Sequence, residues 1–100
     1  SFAKNRGTIE FANWSILKHM KIELRLWENG DLFQPLGMSG HQKVSDFLIN
    51  QKVDRFKKEN QTVMTADGKI FWVCGYRISD WVKIREDTTE KVKLNCAKIN

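Results

Sequence analysis

Apolar residues along this chain recur at every second position in short bursts, and that period of two is what most restricts the fold. Ile22-Glu23-Leu24-Arg25-Leu26 alternates strictly, so Ile22, Leu24 and Leu26 are expected on one face of a strand. Thr8-Ile9-Glu10-Phe11-Ala12 alternates briefly. Val82 and Ile84 alternate with Lys83 and Arg85, and Val92 and Leu94 with Lys91 and Lys93. Ile70-Phe71-Trp72-Val73-Cys74 is apolar without alternation, as in a strand covered on both faces. No apolar run approaches the roughly 18 residues of a membrane span.

Turn chemistry punctuates these strands. Glu28-Asn29-Gly30-Asp31 is a turn signal, and Asp67-Gly68 is a strong hairpin dipeptide after Val63-Met64. Pro35-Leu36-Gly37-Met38-Ser39-Gly40 holds the only proline and two of the six glycines, which marks a tight loop. Val44, Phe47 and Leu48 then fall at i, i+3, i+4 and predict a short amphipathic helix with Ser45 as its N-cap. Asp54 is placed to cap a second short helix, Arg55 to Glu59, with Phe56 facing inward. Residues 13–20 show no clean period and read as connection. The expectation is a single α+β domain over residues 1–100: about six short strands, mostly antiparallel, with two short helices inserted in the middle.

With 100 residues, one compact core is possible and two are not. The 41% apolar content excludes wholesale disorder. Seventeen Lys and Arg against 12 Asp and Glu leave a net charge of +5, which favours polyanionic partners. The excess is concentrated: between Gly40 and Lys58, five cations (Lys43, Lys52, Arg55, Lys57, Lys58) face only Asp46 and Asp54. Cys74 and Cys96 make no disulfide framework, and Cys74 reads as a small buried hydrophobe. Neither His19 nor His41 is spaced as a ligand with them, so no metal site and a reducing, cytoplasmic setting are expected. The first residues lack the apolar segment of a secretory signal, and the sequence does not begin with Met, which suggests a fragment or a processed chain.

Catalytic signatures are missing. There is no Gly-rich phosphate loop, no serine nucleophile elbow and no HExxH. Glu86 and Asp87 are adjacent, so on a strand they would point to opposite faces rather than converge on a substrate. No catalytic residue is assigned.

One stretch is far more specific than composition. Residues 24–40, from Leu24-Arg25-Leu26-Trp27 through Gly30-Asp31-Leu32-Phe33 to Pro35-Leu36-Gly37-Met38-Ser39-Gly40, run on into Lys43-Val44-Ser45-Asp46-Phe47-Leu48-Ile49 and Lys52-Val53. Ile70-Phe71-Trp72-Val73-Cys74-Gly75-Tyr76-Arg77-Ile78 and Lys83-Ile84-Arg85-Glu86-Asp87-Thr88 follow in register. Over about residues 22 to 94 this resembles the C-terminal domain of bacterial tRNA(Ile)-lysidine synthetase. Gln42, Asp54, Lys58, Thr62 and Arg85 depart from the residues common in that family.

The resemblance implies a fold similar to a domain of the phenylalanyl-tRNA synthetase β chain, a small β-sandwich-like α+β unit. It also implies a parent enzyme that uses ATP, with Mg2+ expected, to join lysine to the wobble cytidine of a minor isoleucine tRNA. The family's SGGxDS nucleotide loop does not occur in this sequence, so this domain is expected to need no cofactor. Its expected partners are the tRNA, through acceptor stem or body, and the catalytic domain of the same polypeptide. Phosphate contact is expected from Lys43, Lys52, Arg55, Lys57 and Lys58, with amides at the Ser45 helix start as added donors. Arg77 is expected either to reach RNA or to pair with an acid such as Asp80. Trp27, Trp72, Phe33 and Phe47 read as core, whereas Trp14 and Trp81 suit either base stacking or packing on a neighbouring domain. The competing reading is a structural interaction or dimerisation domain whose charge only aids solubility.

Overall fold

The computed structural model describes residues 8–96; the first residues, in which the sequence shows no secretory signal, lie outside them. Among the described residues, eight strands and three short helices follow one another. They are β1 (Thr8–Asn13), α1 (Trp14–Leu17), β2 (Ile22–Leu26), β3 (Leu32–Phe33), β4 (Gln42–Lys43), α2 (Val44–Asn50), α3 (Arg55–Glu59), β5 (Thr62–Ala66), β6 (Lys69–Val73), β7 (Arg77–Ile78) and β8 (Lys91–Cys96). All pairings are antiparallel: a central sheet β2-β5-β6-β7, a ribbon β1-β8 and a small ribbon β3-β4. The α+β, sandwich-like expectation holds.

The central sheet is covered on both faces. Val63, Ile70 and Val73 pack with Phe33 and with Val44, Phe47 and Leu48 of α2. Phe71, Trp72, Ile78 and Ala66 pack with Ala12, Leu17 and Leu94 beneath the β1-β8 ribbon. The unbroken apolar run has its cause here. Trp72 pairs with Met64 and Ile70 with Thr65, so Phe71 is an extra residue at a β-bulge. The bulge resets the alternation and lets Phe71 and Trp72 both enter the core beneath the ribbon. Glu10 ties the ribbon to the sheet: its Oε2 accepts from Trp72 Nε1 (2.8 Å) and its Oε1 from the Ile78 amide (3.2 Å).

The hairpin at Asp67-Gly68 forms as its dipeptide demands, with both residues at positive φ (49° and 84°). Asp54 caps α3 by accepting from the Lys57 amide at 2.9 Å. Other expectations need correction. The N-cap of α2 is Lys43, and Ser45 lies inside its first turn; the Val44 amide is satisfied by the Asp31 carbonyl at 2.9 Å. Residues 13–20 are not mere connection: Asn13 ends β1, and α1 docks by the Trp14 amide on the Glu90 carbonyl (2.9 Å). Val82 and Ile84 do not form a strand. Asp80–Val82 is a single 3-10 turn. The chain is pulled against β6 there, because Ser79 Oγ and Trp81 Nε1 both donate to the Ile70 carbonyl (2.9 Å each).

Ile22, Leu24 and Leu26 share a face, but the β1-β8 ribbon does not reach its far end: Leu24 is 62% and Leu26 54% exposed. Phe56, expected inward, is 75% exposed, since α3 buries no residue at all. A five-residue helix held by Asp54 and by Trp27 Nε1 donating to the Lys58 carbonyl (2.6 Å) needs no apolar face to stay in place.

Candidate nucleic-acid interface

The cationic segment is built around α2. Lys43 stands at its N-cap and Lys52 just past its C-cap Gln51, so the two cations lie at opposite ends of a helix roughly 10 Å long. The end of that helix is a Schellman motif. Lys52 takes the left-handed position (φ 57°), its amide donates to the Ile49 carbonyl (2.9 Å), and the Val53 amide donates to the Leu48 carbonyl (3.1 Å). Val53 packs on the same core as Leu48. Lys52 is thus a backbone hinge as well as a charge, in a conformation that costs a non-glycine residue about 1 kcal/mol.

The chain then enters α3, where Arg55 and Lys57 are exposed and Lys58 is half-buried with its Nζ 5.6 Å from the centre of the Trp27 ring. Arg77, on β7, joins α2 from the sheet: its guanidinium carbon lies 5.6 Å from the Phe47 ring centre. It does not pair with Asp80. That carboxylate accepts from the Gly37 amide (3.1 Å) and bridges to Lys83 (3.3 Å).

The decisive electrostatic fact is what these cations lack. Among the described residues the ion pairs are Lys18–Glu90, Lys21–Glu23, Arg25–Asp31 and Lys83–Asp80. Lys43, Lys52, Arg55, Lys57, Lys58 and Arg77 take part in none of them. Two of the six rest on aromatic rings, which leaves their charge unneutralised. Phe56, an aromatic side chain left mostly exposed, stands between Arg55 and Lys57 on α3. Its exposure could not be read from the sequence, where an apolar residue on a capped helix signals a core position.

Carboxylates hold the neighbouring loops in place. Pro35 to Met38 is a turn closed by the Met38 amide on the Pro35 carbonyl (2.9 Å), with Gly37 at positive φ (86°) in its third position. The Gly37 amide holds the Asp80 carboxyl below the usual carboxylate range against some burial, with help from Lys83 and the charge of Arg85. At the other turn, Asp31 accepts two hydrogen bonds from Arg25 (2.9 and 3.1 Å) and one from the Glu28 amide (2.8 Å). Burial raises the Asp31 pKa, but the Arg25 and Glu28 hydrogen bonds and the Arg25 charge outweigh it and leave it lowered.

Both carboxyls therefore bind a proton more readily in the unfolded chain. Their contribution to stability is complete above the unfolded value of about 4 and is lost as pH falls through the lower folded values. Thermal unfolding followed from pH 7 to pH 2 should show a falling midpoint below about pH 4. Asp31→Asn should flatten that fall; an unchanged acid limb in the variant would contradict the assignment.

The family model described as the TilS substrate C-terminal domain matches residues 22–95. The tRNA(Ile)-lysidine synthase of Caldanaerobacter subterraneus subsp. tengcongensis is 32% identical over 95 residues, covering 94% of this chain and 20% of that protein. That of Bacteroides thetaiotaomicron is 38% identical over 72 residues, covering 72% of this chain and 17% of that protein. The chain thus spans about a fifth or less of the length of these curated relatives. A solved crystal structure of a TILS C-terminal domain superposes with a TM-score of 0.74 at 20% identity, over 95% of this chain and 74% of that one. It agrees on the fold.

Proposed function

The chain belongs to the tRNA(Ile)-lysidine synthase family through its C-terminal substrate domain, and from that premise we propose that it is the tRNA-holding module of an ATP-dependent ligase that joins lysine to the wobble cytidine of an isoleucine tRNA. One observation carries the binding role: the six cations gathered about α2, α3 and β7 form no ion pair among the described residues. Lysines and arginines left without acids on a rigid scaffold are what a phosphate backbone requires. An A-form stem hides its base edges in a deep, narrow groove and is gripped through phosphates and 2′-hydroxyls.

No residue of this chain is assigned to ATP, Mg2+ or lysine. The sequence has no phosphate-binding glycine loop, and among the described residues no three His, Cys, Asp or Glu side chains come together to hold a metal ion. The ligase chemistry is accordingly proposed for the catalytic domain of the parent polypeptide. No helix among the described residues is long and apolar enough to cross a membrane.

The test is a titration of tRNA into the chain at several salt concentrations. Binding should be measurable at 50 mM salt and fall about a hundredfold or more by 200 mM, as expected when several phosphates are neutralised. A structural interaction or dimerisation role draws support from Leu24 and Leu26, exposed on the edge strand β2. A stable dimer by light scattering, with no response to tRNA at low salt, would decide for that reading and against ours.

A further inference from the structure

A cleft of about 330 Å³ lies between the β3-β4 ribbon and the start of β6. Its floor is the buried Phe33 and Ile70, its walls are Leu32 and Trp81, and His41 and Lys69 stand at its rim. The volume is at the small end for a ligand site, enough for one flat heterocycle. Among the described residues no acidic side chain lines it, which disfavours a cationic guest such as a free amine. The Trp81 ring is locked by its Nε1 donating to the Ile70 carbonyl (2.9 Å). Exposed Lys69 places its Nζ 4.7 Å from the ring centre and takes no part in the ion pairs among the described residues. An immobilised indole, a cation lying over its face that joins no ion pair among the described residues, and an apolar floor are the parts needed to hold a nucleotide. The base displaces the Lys69 ammonium from the ring face and stacks there, and the phosphate meets the displaced ammonium.

The cleft is joined to the cationic surface. Leu32 lies directly opposite Lys43 in the β3-β4 pair, so the wall of the cleft and the cation at the N-cap of α2 share one face of the ribbon.

The geometry points to a single-nucleotide subsite: the Trp81 cleft captures one unpaired nucleotide of the RNA whose stem lies on the α2–α3 surface. This rests on the RNA-binding reading above. A free mononucleotide has the same chemistry, and the experiment separates the two sources.

The full chain is titrated with a blunt RNA hairpin, with the same hairpin carrying a single-stranded tail, and with AMP. The tailed hairpin should bind about tenfold more tightly than the blunt one, as one stacked base allows. Lys69→Gln and Trp81→Leu should each reduce that preference while leaving blunt-hairpin affinity within about twofold. Lys69 is an exposed side chain, so its variant tests the cleft even if Trp81→Leu fails to fold. Equal affinity for the two hairpins would overturn the subsite and leave the stem reading intact. So would a preference that survives Lys69→Gln, or AMP binding without a tail preference. Binding of neither hairpin would overturn the stem reading itself, and the subsite with it.

Discussion

Phe71→Ala is expected to remove much of the stability of this domain. Phe71 is 2% exposed and is the extra residue of the β5-β6 bulge, pressed into the core shared with Leu17, Val82 and Leu94. Truncating a buried phenylalanine costs about 3–5 kcal/mol, because the transfer energy of the ring is lost and the cavity does not fully close. A domain of this size is held by only about 5–15 kcal/mol. Urea unfolding should show the midpoint falling sharply with the slope nearly unchanged. Phe56→Ala, at the same residue type on an exposed helix, should move stability by less than about 0.5 kcal/mol. A loss below about 1 kcal/mol at Phe71 would mean that the bulge does not seat the ring in the core as described.

Reversing two charges, Lys43→Glu with Lys57→Glu, is expected to leave folding nearly intact and to cripple tRNA binding. Both side chains are exposed and neither joins an ion pair among the described residues, so their removal strands no acid and opens no cavity. If each lysine neutralises one phosphate, the slope of log affinity against log salt should shrink in magnitude by about two. Glutamates in their place would also repel the backbone, so the loss at 50 mM salt should be about a hundredfold. The check is a salt series of binding isotherms beside a thermal melt. Unaltered affinity with an unaltered melt would clear these two positions of any contact.

Much of the architecture was legible in sequence because it is local. Period-two alternation marks strands wherever one face is wet, Asp67-Gly68 dictates a hairpin through its tolerance of positive φ, and Asp54 caps a helix by its own carboxylate. The i, i+3, i+4 spacing of Val44, Phe47 and Leu48 located α2 within a residue or two, although the cap fell to Lys43. The cationic positions were legible as well, since charge is a property of residue type.

Positions whose fate depends on distant chain were not legible. Phe56 looks like core because no local signal reports that α3 has nothing above it. Val82 and Ile84 mimic a strand because alternation cannot show that Ser79 and Trp81 draw the chain into a 3-10 turn against Ile70. Leu24 and Leu26 keep the period of a buried face, yet the covering ribbon ends before it reaches them.

The sequence by itself determined the α+β composition, the turns, the helix at Val44 and the concentration of positive charge between Gly40 and Lys58, because each of these is set by neighbours a few bonds away. Only the tertiary structure decided which cations go unpaired, that Arg77 joins α2 across the sheet, and that Trp81, Lys69 and His41 meet around one cleft. Those are distances between residues far apart in the chain, and only the packing of one strand or ribbon against another sets them.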